Sequence, residues 1–332
     1  MQASQCLNRE TRPALLIREG LRTFGIFMFS ERLKLGLKWL GAALAAAAVA
    51  FVVHRFWTQF STLPAGALEA AGPGLVMASL GYAACGVPLA LIWWLALRVA
   101  GLRSASLPRA SSAFLSSQLG KYLPGNVGHF AARHVLTRRH GAGHRALVVA
   151  TLLEAMLLAA AAGTLAALII QPIIYSSIEP MTGAAWLTPM AAALALGLGL
   201  ALVRRKGWLD AGPRLPQMVL ELGAAFALAL IFFIASSGCF ILMSSSLGAV
   251  DWLSVVPWIA ASWLLGFLVL GAPGGLGIRE FVLVLGLTPM IGEAQAILDA
   301  LMFRLATISG DSLMSATGTV WLRRQSTKSA RK

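Results

Sequence analysis

Lys121-Tyr-Leu-Pro-Gly-Asn-Val-Gly-His129 lies between two apolar blocks, and Ala272-Pro-Gly-Gly-Leu-Gly-Ile-Arg-Glu280 echoes it much later. Both stretches contain Pro-Gly-x-x-Gly. Two helix-breaking residues beside long hydrophobic spans predict backbone that stops being helical near membrane depth. Such backbone is tolerated only where protein buries it or where it lines a cavity. Two such breaks, each near cationic side chains, point to a ligand handled inside the bilayer.

The composition around these stretches fits that setting. Of 332 residues, 58% are hydrophobic and only 12% are charged, against about 25% in a soluble protein. The apolar blocks run almost end to end, which excludes a soluble domain on a single anchor. Eight of them, at 35–53, 74–97, 146–170, 184–203, 217–243, 252–271, 278–292 and 294–321, predict an all-α polytopic membrane protein with about eight transmembrane helices. Most reach the ~20 residues needed to cross the hydrocarbon. The seventh is short and is expected either to cross with help from the Gly-rich segment before it or to be re-entrant. Residues 108–140 read as a re-entrant or interfacial hairpin whose helix resumes after the first break.

Twenty-seven Lys and Arg against 13 Asp and Glu leave a net charge of +14. The basic residues concentrate in alternate connections. The segment before the first span, residues 98–145, residues 204–214 and the C-terminus are rich in them, whereas 171–183 and 244–251 have none. That alternation follows the positive-inside rule and predicts both termini in the cytoplasm; nucleic acid is not an expected partner. Residues 1–34 form a basic amphipathic segment suited to the membrane surface, with Met28 as an alternative start, and 323–332 form a basic tail. The transmembrane domain is expected over 35–322, with 35–203 and 217–322 as halves of a parallel repeat; chance recurrence of glycines is the alternative. Cys6, Cys85 and Cys239 are too scattered for a disulfide framework.

Ionisable residues at membrane depth are functional candidates. Glu154 falls about 12 Å along the third span. Arg304 and Asp311 share a face of the last span, about 10 Å apart along the axis, too far to pair with each other. Arg279 and Glu280 follow the second break and face different ways. Fixed ion pairs or snorkelling side chains are the alternative reading for all of these, and the expected one for Glu221 and Asp299 near span ends. The breaks can offer successive backbone N–H groups as an anion nest, with Lys121, His129, Arg133 and Arg279 as cationic partners. The competing reading is that the glycines only allow close helix packing. A headgroup site is therefore expected at Lys121, Tyr122, Pro124, Gly125, Gly128, His129, Arg133, Gly274, Gly275, Gly277, Arg279 and Glu280, with Glu154, Arg304 and Asp311 as intramembrane charges. His129, His134, His140 and His144 have spacings that fit no compact ligand set, so neither a metal nor another cofactor is expected. No Gly-x-Ser-x-Gly elbow and no phosphate-binding Gly-x-x-x-x-Gly-Lys run occur; catalytic and nucleotide-driven chemistry are not expected.

Gly120-Lys-Tyr-Leu-Pro-Gly-Asn-Val-Gly-His129 resembles the first signature of the lysylphosphatidylglycerol synthase transmembrane-domain family, and Pro273-Gly-Gly-Leu-Gly-Ile-Arg-Glu280 its second. Leu153-Glu154 is similar to its acidic position in the next helix, and Phe303-Arg304 to its Arg in the last. The chain departs from the pattern where Ala155 and Met156 follow Glu154, and at Asn126, where Lys is frequent. Some members join this domain to a cytosolic aminoacyl transferase. This chain stops soon after its last span, so the resemblance implies the flippase-like part alone. It also implies passage of a phosphate-containing lipid, such as an anionic phospholipid or lipid-linked sugar, across a bacterial inner membrane. A membrane-embedded headgroup or glycosyl transferase, or an accessory subunit of an envelope-assembly complex, are the alternatives; protein partners and the lipid itself are not legible.

Overall fold

The computed structural model describes residues 67–123, 127–138, 141–169, 215–244, 252–269 and 272–330, with scattered positions between 39 and 57. All regular structure among them is helical. The spans expected at 35–53 and 184–203, the connections at 171–183 and 204–214, and most of 244–251 lie outside the described residues apart from those scattered positions. So does Pro124-Gly125-Asn126.

Helices α1 (Ala67–Ala84) and α2 (Gly86–Val99) together form the second span. It is the single span expected at 74–97, running Gly72–Val99 with a one-residue turn at Cys85. Pro88 explains the turn: it has no N–H to offer the carbonyl of Ala84, and its ring crowds that carbonyl. The third and fifth spans are α5 (His144–Ala166) and α6 (Leu215–Met243), each long and apolar enough to cross. Between α2 and α5 run α3 (Leu107–Ser116), a 3-10 turn at Gln118–Tyr122, and α4 (Gly128–Arg138).

The sixth span is shorter than the 252–271 expected. Its α-helix, α7, covers only Val256–Leu268, about 20 Å. Pro257 in the first turn fixes where it starts, and the chain turns extended at Val269 on the way to the second break. With the Gly-rich segment included, the seventh span is long and apolar enough to cross. A 3-10 turn at Pro273–Gly275 precedes α8 (Ile278–Ile291), and Pro273–Ile291 reaches 19 residues. The last helix, α9 (Glu293–Ala330), has 38 residues and is about 57 Å long, well beyond a hydrocarbon core of about 30 Å.

α9 is the spine. It packs along α1, α3 and α8, while α6 packs on α1, α2 and α5, and α7 bridges α5 and α8. Where α9 crosses α1, a Cβ on Gly310 would stand 2.9 Å from the carbonyl oxygen of Ser79. Only glycine permits that approach, and membrane helices lacking a hydrophobic drive between them rely on such contacts. Trp93, Phe232, Phe233 and Phe240 fill the interior. Large apolar side chains such as Leu80, Leu220, Ile231 and Leu285 point outward, as they do in a lipid environment.

Candidate functional site

The two sequence breaks meet. The 3-10 turn at Gln118–Tyr122 lies against the one at Pro273–Gly275, and a Cβ on Gly274 would stand 3.0 Å from the Tyr122 ring. Gly274, Gly275 and Gly277 all have positive φ, at 58°, 73° and 81°, so L-residues there would be strained. At the first break, Gly120 and Gly128 pack backbone to backbone. A Cβ on Gly128 would lie 2.4 Å from the Gly120 oxygen, which closes the chain on either side of Pro124-Gly125. Those two expected site residues lie outside the described residues.

Three ion pairs surround this junction. Lys121 Nζ is 2.7 Å from Asp311 Oδ1, and the Tyr122 hydroxyl donates to Asp311 Oδ2 at 2.5 Å. Arg304 Nε is 3.3 Å from Glu280 Oε1, and its Nη1 donates to the Gly274 carbonyl at 3.1 Å. Glu280 Oε2 also accepts the Gly277 N–H at 2.6 Å, which caps α8 at its positive end. Arg304 lies over the Tyr122 ring, 5.4 Å from its centre. α9 therefore holds both breaks, the first through Asp311 and the second through Arg304.

Arg133 forms the third pair. Its Nη1 donates to Glu154 Oε1 at 2.8 Å, and its Nη2 to Glu154 Oε2. Arg133 has no exposed surface and Glu154 has 3%. The guanidinium lies 4.0 Å from the centre of the Trp93 ring and 5.0 Å from that of Phe114. Arg133, expected at the headgroup, and Glu154, expected as an intramembrane charge near Arg279 or Arg304, instead pair with each other.

Arg279 differs from the other three cations. It has no carboxylate or hydrogen-bond acceptor for its side chain among the described residues, and its Nε is buried without an acceptor. Its guanidinium is 5.9 Å from the Trp263 ring centre. The side chain lies in a slot made by missing side chains. A Cβ on Gly266 would fall 2.6 Å from Arg279 Cγ, and one on Gly275 would fall 2.8 Å from Arg279 Nε. Gly266 and Trp263 were not among the expected site residues. A glycine inside the sixth apolar span was the available signal, but nothing local connects it to an Arg 13 positions later.

Two small cavities adjoin at Arg279. One, about 30 Å³, is lined by Ser236, Ser262, Glu280, Arg304 and Thr307 among others. The other, about 60 Å³, is lined by Gln118, Lys121, His129 and Glu154 among others. Both share Tyr82, Phe232, Trp263 and Arg279. Each has room for water or a small polar group. His129 Nδ1 and Arg304 Nη2 are also buried without an acceptor. Glu280 Oε1 is likewise buried without a hydrogen-bond partner; buried polar atoms normally find partners, so a small polar group in these cavities would meet open donors and one open acceptor. Lys121, His129, Glu154, Arg279, Glu280 and Arg304, six of the fifteen expected headgroup and charge residues, thus line this pair of cavities.

Glu221 and Asp299 stand apart from it. Glu221 binds Arg98 at 2.8 Å and Arg103 at 3.4 Å, tying α6 to the end of α2. Asp299 accepts hydrogen bonds from Ser244 and, at 2.8 Å, from Gln295. His134 and His144 meet at 2.8 Å at the α4–α5 junction. No group of three or more potential metal ligands occurs among the described residues.

Comparison with curated proteins returns no match. A family model described as the lysylphosphatidylglycerol synthase TM region matches residues 38–313. The chain belongs to that family.

Proposed function

From membership of the lysylphosphatidylglycerol synthase TM region family, which supports a lipid-related role in the membrane, we propose that this protein moves a phosphate-containing lipid across the bacterial inner membrane. Both termini would face the cytoplasm. The observation that carries the reading is Arg279, a cation with no partner carboxylate among the described residues, lining two neighbouring cavities inside an apolar helix bundle. A charge at the bilayer centre costs about 2.5–3.5 kcal/mol on insertion scales, and an unpaired Arg there is accounted for if its partner is a ligand phosphate. Arg suits that partner because its planar fork donates two hydrogen bonds at once. Arg304 and Lys121, each held by a carboxylate, stand ready on either side. His129 adds an imidazole nitrogen to the lining.

Fluorescent-lipid reconstitution tests the reading. Wild-type protein should accelerate exchange between leaflets. Arg279→Lys should lose that activity while the protein accumulates and purifies normally, because a point charge replaces the fork. Normal exchange by Arg279→Lys and Arg304→Lys together would refute the assignment, as would loss of folded yield in parallel with loss of exchange.

A further inference from the structure

The charges around the two cavities, taken together as one chamber, can be added up, and the sum names a headgroup class. Four cations, Lys121, Arg133, Arg279 and Arg304, and three carboxylates, Glu154, Glu280 and Asp311, either line the two cavities or pair with a residue that does. Lys121 is matched by Asp311, Arg133 by Glu154 and Arg304 by Glu280. Among the described residues, one positive charge, on Arg279, is left. Of the two expected spans outside the described residues, 184–203 contains no Asp, Glu, Lys or Arg, and 35–53 contains only Lys38, near its start. Asp299 is turned to Ser244 and Gln295 and lines neither cavity.

Resting on the lipid reading above, we infer that the chamber accepts a headgroup with a single negative charge, a phosphodiester that carries no ammonium. One phosphodiester balances the one unmatched cation. An ammonium on the same headgroup would need a carboxylate of its own, and all three counted above already hold an Arg or Lys. A diphosphate brings at least one more negative charge than the chamber can match, into cavities of about 30 and 60 Å³. Charge left unmatched at membrane depth is costly, so the discrimination is electrostatic and does not depend on shape alone.

The test is retention of lipid by the full chain purified in detergent. The offered lipids are an equimolar mixture of phosphatidylglycerol, phosphatidylethanolamine, lysylphosphatidylglycerol and a polyprenyl diphosphate, with bound lipid counted by mass spectrometry. Phosphatidylglycerol should be enriched roughly tenfold or more over each of the others. Arg279→Gln should abolish the enrichment, and Arg279→Lys, which keeps the charge, should preserve it. Equal or greater retention of either ammonium-bearing lipid or of the diphosphate overturns the inference. So does retention of no lipid, or full enrichment by Arg279→Gln. Displacement of the lipid by millimolar inorganic phosphate would assign the site to a small soluble anion and also overturn it. Selective retention without exchange in vesicles would sink the transport reading and leave the charge class standing. Exchange of ammonium-bearing lipids would do the reverse.

Discussion

Replacing Glu154 with Gln should unbalance the most deeply buried ion pair in the protein's described core. Arg133 is fully enclosed and receives both carboxylate oxygens of Glu154. Removing one partner of a buried pair costs about 3–5 kcal/mol, because the other charge stays behind without compensation. Two features reduce that figure here. Gln keeps one oxygen acceptor, and Trp93, 4.0 Å from the guanidinium, offers a desolvated cation–π contact of about 2 kcal/mol. The expected loss is about 3 kcal/mol, close to a hundredfold in the folded ratio. Thermal unfolding of the purified protein, followed by size-exclusion fluorescence after heating, would read it as a lower midpoint. Arg133→Met combined with Glu154→Leu should recover most of the loss, since replacing both members of a buried pair by apolar residues is often neutral. If Glu154→Gln unfolds at the wild-type midpoint, the pair is not holding α4 to α5. If the double variant is less stable than Glu154→Gln alone, the cost does not come from an abandoned charge.

Asp311→Asn should release Lys121 and weaken the Tyr122 hydrogen bond; faster hydrogen exchange over 118–122, with α8 unaffected, is the expected readout. In intact cells, a membrane-impermeant maleimide should label Ser177→Cys and leave Arg139→Cys unlabelled; the reverse would overturn the assigned topology. Acid should loosen the junction of α4 and α5. Burial first, and then the neighbouring Arg138, hold His134 below the ordinary histidine value. Its contribution is therefore complete above about pH 6.5 and is lost as pH falls through the lowered value. Hydrogen exchange across 134–147, corrected for intrinsic rates, should rise on acidification in wild type, and His134→Asn should remove that pH dependence.

The membrane class was legible because 58% hydrophobic residues in long uncharged runs admit few other architectures. The second break was equally legible: Pro273-Gly274-Gly275 cannot continue a helix, and all three of its nearby glycines with positive φ lie within the motif. Charges at depth could be flagged one at a time, but their partners could not be assigned. Arg133 and Glu154 are 21 positions apart across a break and a turn, and only the packing of α4 on α5 brings them together. Periodicity gives no such distance. Pro88 was a readable signal for the turn in the second span, but a long apolar run hid it. The shortness of α7 was hidden for the same reason, because Val269 and Leu270 remain apolar after the helix has ended.

α9 has a mechanical consequence. It is one uninterrupted rod, and it is fastened to the first break seven residues beyond its fastening to the second. Its far end is pinned again, by Gln325 donating to the Pro108 carbonyl at 3.1 Å and Ser315 to the Ser116 carbonyl at 2.9 Å. Links at fixed spacing along a stiff rod remove independent freedom from the parts they join. Sliding or rolling α9 therefore displaces both gaps in the helical framework by one shared coordinate, as a camshaft moves two valves. Opening one half while the other stays shut would require breaking the Asp311 or the Arg304 fastening first.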